Sequence, residues 1–314
     1  MKMVSIITRT KDRPLMLERA FKSVVNQRFK EYQWVIVNDG GNIGEVDDIA
    51  NRAESKGIEV IRIHHDCCRG MEASSNDGIK ASDGKYVVIH DDDDTWHPEF
   101  LERTVGYMES LPSHSSIKGV VTKVNKIHET IIGGRILTYR KSDYDPELDN
   151  VTLIKMARLD NIPPPISFLY RRDVLDDIGL YREDLQVLGD WEFNLRFLGK
   201  YDLGVITEKL ANYHIRAGIL EGAYGNTIVS QRDLHSSTLA SLKNEFLRRD
   251  LETGRIGIGY IVNMAGEFQE LHNGSFYVNR IYKNIYRLTL GPAIMVYRSA
   301  KFAVKIALEY LRTS

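Results

Sequence analysis

Two cysteines in 314 residues, and those adjacent at Cys67 and Cys68, leave no basis for a disulfide framework. Neighbouring cysteines rarely bridge and two sulfurs are too few for a zinc cage, so the chain reads as one that works in a reducing cytosol. Long apolar runs are missing as well. No stretch approaches the ~20 residues of a membrane span. Val4-Ser5-Ile6-Ile7, straight after Met1-Lys2-Met3, is a strand and too short for the core of a signal peptide. Charge of one sign does not dominate, at −1 overall, and basic residues and aromatics do not cluster in the half that carries the chemistry. That argues against a nucleic-acid partner. A phosphate loop of the G-x-x-x-x-G-K-S/T type is absent, and Gly41 and Gly44 lack the first glycine of G-x-G-x-x-G. ATPases and dinucleotide dehydrogenases are thereby disfavoured. Neither repeats nor low-complexity linkers interrupt the chain.

What is present alternates strand and helix. Val4–Ile7, Trp34–Val37, Ile58–Ile63 and Lys85–Ile89 read as buried strands. Helices are expected from Pro14 to about Gln27, Ile43 to Lys56 and Gly70 to Ala81, with another opened by Pro98 and running to about Leu111. This order implies a doubly wound, mostly parallel sheet with right-handed crossovers. Beyond it the pattern changes. Lys118–His128 and Ile131–Tyr139 flank Gly133-Gly134 as a hairpin, Pro163 to Pro165 enter a short strand, and a helix follows from about Asp190 to Leu198. From about Thr227 the chain reads as helical.

Four aspartates, Asp91 to Asp94, stand where the fourth strand runs out. Alternation along a strand puts Asp91 and Asp93 on one side, a few ångströms apart. Carboxylates that close repel unless a cation lies between them, and Mg²⁺ or Mn²⁺ is the natural occupant for hard oxygen ligands. A solvated acidic turn is the plain alternative; the buried strand just before it favours the metal. Ligands of open α/β sheets bind outside the carboxyl ends of the strands, which is where this run sits. Thr8-Arg9-Thr10-Lys11-Asp12-Arg13-Pro14 ends the first strand with exposed N–H groups and basic side chains at a helix start, a setting that suits phosphate. Asp39 could accept from a base or ribose, and Gly40 and Gly41 would let a ligand approach the backbone.

Taken in order, Thr8-Arg9-Thr10, Asn38-Asp39-Gly40-Gly41, Arg69-Gly70, Asn76-Asp77-Gly78, Asp91 to Asp94 with Trp96 and Pro98, and Gly189-Asp190-Trp191-Glu192 form a recognisable succession. Over roughly residues 3–216 the chain resembles the family 2 glycosyltransferases of the GT-A fold. The resemblance implies an α/β, Rossmann-like sheet with a smaller β-rich acceptor part and a helical C-terminal extension. Residues 1–226 would form the catalytic domain, with 1–111 as its nucleotide-binding half and 112–226 as its acceptor half, and 227–314 the extension. It implies an inverting transfer from a nucleotide-diphosphate sugar, by default a UDP-sugar, to a hydroxyl of a glycan or lipid-linked acceptor. Asp93 would bind Mn²⁺ or Mg²⁺ across the donor's phosphates and Asp91 metal or ribose. Asp92 would lie on the nucleotide side, and Asp94 would orient its neighbours. Thr8, Thr10 and Asp39 match positions that hold the nucleoside, with Arg69 and Arg13 near the diphosphate. The family's usual glutamate before the base is replaced by Gly189, and Asp190 keeps the position of general base. Trp96, Trp191 and Glu192 are expected on the sugar or acceptor side, with His214 in the metal shell.

From Arg280 to Ser314 the chain carries seven Lys/Arg and one acid, Glu309. Arg280, Lys283, Arg287, Arg298, Lys301 and Lys305 form a basic stripe on apolar helices broken at Gly291-Pro292. That pattern fits a helix lying on an anionic membrane surface, with packing on the protein's own domain or a homodimer partner as alternatives. The whole reads as a bacterial surface-polysaccharide enzyme (O-antigen or capsule type), peripheral at the inner face of the plasma membrane. Its rivals are a sugar nucleotidyltransferase, which wants a glycine-rich loop that Thr8–Pro14 lacks, and a non-catalytic nucleotide- or sugar-binding relic, which Gly189 keeps open.

Overall fold

A computed structural model describes residues 2–146, 148–158, 163–216 and 232–272, with the isolated positions 224, 301 and 305. A nine-stranded sheet runs through it. Its first half is parallel: β1 (Val4–Thr10), β2 (Tyr32–Asn38), β3 (Glu59–His64) and β4 (Tyr86–Ile89) lie in the order β3-β2-β1-β4. The crossovers are α1 (Pro14–Val25), α2 (Ile43–Glu54) and α3 (Met71–Lys80). Pro14 begins α1, where its missing N–H is harmless, and the Asn42 side chain caps α2 by accepting from Gly44 N at 2.9 Å.

Alternate strand residues feed opposite layers. Val4 and Ile6 pack with Leu17, Phe21, Trp34 and Val46, whereas Ile7, Val35, Val37 and Val87 pack with Ile79, Trp191 and Phe193. A sheet buried on both faces explains why these strands read as unbroken apolar runs.

The second half is mixed. The two-residue strand β5 (Thr95–Trp96) and α4 (Phe100–Glu109) lead into the hairpin β6 (Ile117–Ile132) and β7 (Arg135–Asp143), joined by Gly133-Gly134. Then come α5 (Leu153–Ala157), a 3-10 turn at Pro165–Ser167, β8 (Phe168–Arg171), α6 (Val174–Ile178), α7 (Gly189–Leu198) and β9 (Asp202–Ile215). The sheet continues from β4 as β8-β6-β9-β5, with β8 antiparallel to both β4 and β6, and β6 parallel to β9. This pairing threads β9 back beside the aspartate run: Thr95 pairs with Asn212 and Trp96 with Ala211.

Two further helices, Arg232–Thr253 and Ile258–His272, contribute Leu242, Phe246, Val262 and Ala265 to the same buried layer as Trp191 and Phe193. The helical extension thus shares its core with the catalytic part. The basic stripe expected over 280–314 lies outside the described residues, apart from Lys301 and Lys305. Among the described residues, no helix is long and apolar enough to cross a membrane.

Candidate active site

The strand before the aspartates stops at Ile89, and Asp91–Asp94 form a turn closed by Asp94 N donating to Asp91 O at 3.2 Å. The expected alternation survives in this turn. Asp91 and Asp93 stay partly open while Asp92 and Asp94 are buried. The charges around them are the protein's own. Arg9 binds Asp91 Oδ1 at 3.1 Å through Nε, and Arg13 donates to Asp92 Oδ1 at 2.7 Å and to Asp93 Oδ2 at 2.9 Å. Arg216, fully buried, also pairs with Asp93. Burial alone would raise the Asp93 pKa, but Arg13 and Arg216 hold its carboxyl well below the usual range. Asp92, deeper and held by Thr10 Oγ1 at 2.8 Å, is pushed up to about 6 by burial.

A second tier fixes those arginines. Glu129 on β6 accepts from Arg19 Nη1 at 2.8 Å and from Arg216 Nη1 at 2.9 Å, and it lies 2.7 Å from His214 Nδ1. Burial pushes Glu129 up, yet its hydrogen bond with His214 and its pairing with Arg19 bring it down to about 2. An ionised carboxylate only accepts, so His214 Nδ1 carries the proton and Nε2 takes the Thr95 hydroxyl at 3.0 Å. Burial pushes the pKa of this ring down, against the pull of Glu129. The backbone N–H of His214 in turn donates to Asp94 at 2.9 Å. Both ring nitrogens of His214 are thus engaged within the protein, and its backbone N–H ties β9 to the aspartate turn. Asp94 is held between that N–H and the turn's own bond to Asp91 O.

Several other expected contacts resolve into structure. Thr8 is buried and accepts from Trp34 Nε1 at 2.8 Å. Asp39 is a clamp: it accepts from Arg69 N at 2.7 Å and Gly70 N at 3.0 Å, with His65 Nδ1 at 2.9 Å and the Cys68 thiol at 3.1 Å. Against the pull of burial, the Arg69 N–H and His65 lead those contacts in bringing the carboxyl down to about 2. Gly40, at φ +79°, admits not a ligand but the loop that Asp39 holds, since a Cβ there would lie 2.7 Å from Cys68 N. The Arg69 side chain turns outward to Asp77. Trp96 stacks on Phe100 with centroids 4.4 Å apart and donates to Ile166 O at 2.6 Å. Trp191 is buried and donates to Met156 O at 2.8 Å. Glu192 pairs with Arg196 at 2.7 Å. Trp96 and Glu192 are engaged within the protein, and Trp191, though buried, forms part of a cavity wall.

What the structure brings together is a cavity of about 260 Å³ between the sheet ends, α3, α7 and the Arg232–Thr253 helix. Arg9, Glu72, Asp91 and Asp190 line it, with Tyr144, Pro164, Pro165, Tyr181, Tyr213 and His235 among the walls. Asp190 stands at the start of α7 behind Leu188, whose φ of 64° and ψ of 16° make a left-handed entry turn. A non-glycine residue there is costly and marks a position the surroundings impose. Trp191 N donates to Asp190 Oδ1 at 2.8 Å, and burial raises the Asp190 pKa against that bond. Arg19, Glu72, Glu129, Arg216 and His235 lie outside the expected set. Arg216 follows His214 closely enough to have been a signal; Arg19, Glu72 and Glu129 stand in no motif.

A doubly wound sheet with a curled mixed half, and a carboxylate-lined cavity at its strand ends, is the architecture of the GT-A glycosyltransferases. The family model of glycosyl transferase family 2 matches residues 5–179, more than half of the chain. The chain belongs to that family and is a glycosyltransferase. It is similar to the uncharacterized glycosyltransferase MJ1057 of Methanocaldococcus jannaschii (27% identical over 216 residues, 68% of this chain and 71% of that one). It is also similar to the PGL/p-HBAD biosynthesis glycosyltransferase Rv2957 of Mycobacterium tuberculosis (26% over 266 residues, 83% and 88%).

Among solved structures, S. aureus TarS 1–349 in complex with UDP-GlcNAc superposes with TM-score 0.55 at 19% identity, over 70% of this chain and 59% of that one. The mannosyltransferase PcManGT of Pyrobaculum calidifontis, solved with GDP-Man and Mn²⁺, gives TM-score 0.59 at 14% identity over 99% and 87%. At these identities the likeness concerns the fold. The chain spans about 60% of the length of the TarS fragment.

Proposed function

We propose that the protein transfers a sugar, with inversion, from a nucleoside-diphosphate sugar to a hydroxyl of a glycan or lipid-linked acceptor. The observation that carries this reading is the cavity in which Asp190 faces Asp91 and Arg9. A carboxylate whose pKa is raised by burial is a better base near neutral pH, and Asp190 is raised in that way. It would take the proton of the attacking hydroxyl, while Arg9 and Arg13 offset negative charge on the departing diphosphate. Residues 1–111 would carry the donor, 112–226 the acceptor, and 227–314 close the site and reach toward a membrane surface.

The aspartates fit a hard divalent ion. Asp91 Oδ2 and Asp93 Oδ1 accept nothing from a described residue, while their partner oxygens are tied to arginines. They are the two atoms that would hold Mg²⁺ or Mn²⁺ with the diphosphate oxygens, and the ion would add charge stabilisation there. No described residues form a cluster of three or more His, Cys, Asp or Glu around a metal position, which leaves most of the coordination to donor and water.

The test is calorimetric titration of UDP, GDP and dTDP into the protein with Mn²⁺ and again with EDTA. Binding of one nucleotide, at least tenfold weaker in EDTA, is expected. Binding of none, by folded protein with metal present, would remove the donor reading and leave a relic of the fold.

A further inference from the structure

One charged group in the cavity has no part in that chemistry. Glu72 stands in the first turn of α3, is 6% exposed, and lines the same space as Asp190. Arg9 Nη1 lies 3.6 Å from its Oε2, and its oxygens accept no hydrogen bond from a described residue. A buried carboxyl in that condition is unstable unless something else supplies donors. Across the cavity wall lies Gly189. A Cβ built there would sit 2.5 Å from Glu72 Cδ and closer still to Oε1. The missing side chain at 189 and the carboxyl reaching in from 72 are thus two halves of one arrangement. Any larger residue at 189 would displace Glu72, and removing Glu72 would leave a hole beside Asp190.

We propose that Glu72 is a sugar-orienting residue of the reaction centre, occupying the space that Gly189 leaves free and accepting a hydrogen bond from a hydroxyl of the sugar bound beside Asp190. The inference rests on the sugar-transfer reading of the cavity. Three carboxyl groups, from α3, α7 and the aspartate turn, converge there on one guanidinium, Arg9. Another anion is a poor guest for the part of the cavity between Glu72 and Asp190. A polyhydroxylated ring is a good one, because each hydroxyl donates to a carboxylate and brings no charge. Burial, with Asp190 and Asp91 nearby, also pushes Glu72 up to about 7 against the pull of Arg9, so near neutrality it can return a hydrogen bond as well as accept one.

The experiment compares wild type, Glu72→Gln, Glu72→Ala, Gly189→Glu and Glu72→Ala/Gly189→Glu. UDP or GDP release is measured from UDP-GlcNAc and GDP-mannose, and UDP, GDP and dTDP binding by calorimetry, all with Mn²⁺. Glu72→Ala should lower turnover roughly 10–100-fold, the loss of one charge-assisted hydrogen bond, with a much smaller change in diphosphate binding. Gly189→Glu alone should lower both turnover and Tm, because two carboxyls then compete for one volume. The double variant should recover at least tenfold over the worse single one.

Glu72→Gln keeps the shape and guards against misfolding. At wild-type Tm it should show a loss smaller than that of Glu72→Ala, and carried by kcat more than by diphosphate affinity. Turnover of both Glu72 variants within twofold of wild type would overturn the assignment, as would a double variant no better than the worse single. Where the wild type binds a diphosphate but hydrolyses neither donor, its affinity gain for the sugar nucleotide over the diphosphate is read instead. Glu72→Ala must then abolish that gain, and a retained gain overturns the proposal. A wild type that binds none of UDP, GDP and dTDP would bring down the sugar-transfer reading and this inference with it, an outcome distinct from unaffected Glu72 variants.

Discussion

On one flank of the aspartate turn, Asp92, Asp93 and Asp94 meet Arg13, Arg19, Arg216, Thr10 and the backbone of His214, with Glu129 binding the outer arginines. On the other flank, Asp91, Glu72 and Asp190 face a cavity that Arg9 and His235 also line. On the first flank most of the charges are paired within the protein and define geometry, with Asp93 Oδ1 left over. The second keeps carboxylate oxygens without protein donors, which is tolerable where a ligand will provide them. One short segment therefore serves both as a rigid frame and as the edge of a receptive site.

Breaking the frame should give the largest effects on stability. Arg216→Leu removes the fully buried partner of both Asp93 and Glu129 and should destabilise the protein by about 3–5 kcal/mol, measured by urea unfolding. A change below about 1 kcal/mol would mean the network relaxes around solvent and is no frame. On the receptive flank, Asp190→Asn should leave the fold intact and lower turnover by roughly 10²–10⁴-fold, with nucleotide binding nearly unchanged. Equal losses in binding and turnover would place Asp190 with the donor and not with the proton.

The pH response sharpens the contrast further. Glu72 rises from an ordinary 4.5 to about 7 in the fold, so the unfolded chain loses this proton first as pH increases. Its contribution to stability is complete below pH 4.5 and fades as pH climbs toward 7, by on the order of 3 kcal/mol at most. Unfolding of wild type and Glu72→Gln at pH 5 and pH 8 should show the variant's curve flatter across that window; identical slopes would remove Glu72 as the cause. The smallest effect is expected at Arg69, whose half-exposed side chain pairs with Asp77. Arg69→Ala should change stability by less than about 1 kcal/mol. A larger loss would show that the side chain, and not only the Arg69 N–H on Asp39, holds the loop.

The parallel half was legible from the chain because β1, β2 and β4 are buried on both faces and carry apolar runs, while β3, at the sheet edge, is only partly covered. β2 was expected over Trp34–Val37 and spans Tyr32–Asn38, and a hairpin does turn at Gly133-Gly134, although Ile131 and Ile132, read as the start of its second strand, end the first. The aspartates and Asp190 were legible as well, since their neighbours place them at a strand end and a helix start. The arginine frame was not. Arg19 lies 110 residues from Glu129 and Glu129 87 residues from Arg216, so no local pattern connects them. Trp96 and Trp191 looked like platforms for a sugar because sequence does not show which face of a large aromatic is covered.

By itself, the sequence determined the doubly wound half, the acidic turn at its strand ends and the helix that begins with Gly189 and Asp190. These follow from periodicity and from residues adjacent in the chain, where the physics is local. Only the tertiary structure decided which acids are spoken for and which are left to a ligand. That choice depends on β6, β9 and α3 delivering Glu129, Arg216 and Glu72 to within a few ångströms of the turn. Electrostatic pairing in a buried site falls steeply with distance and solvent, and distance is what folding, not order along the chain, supplies.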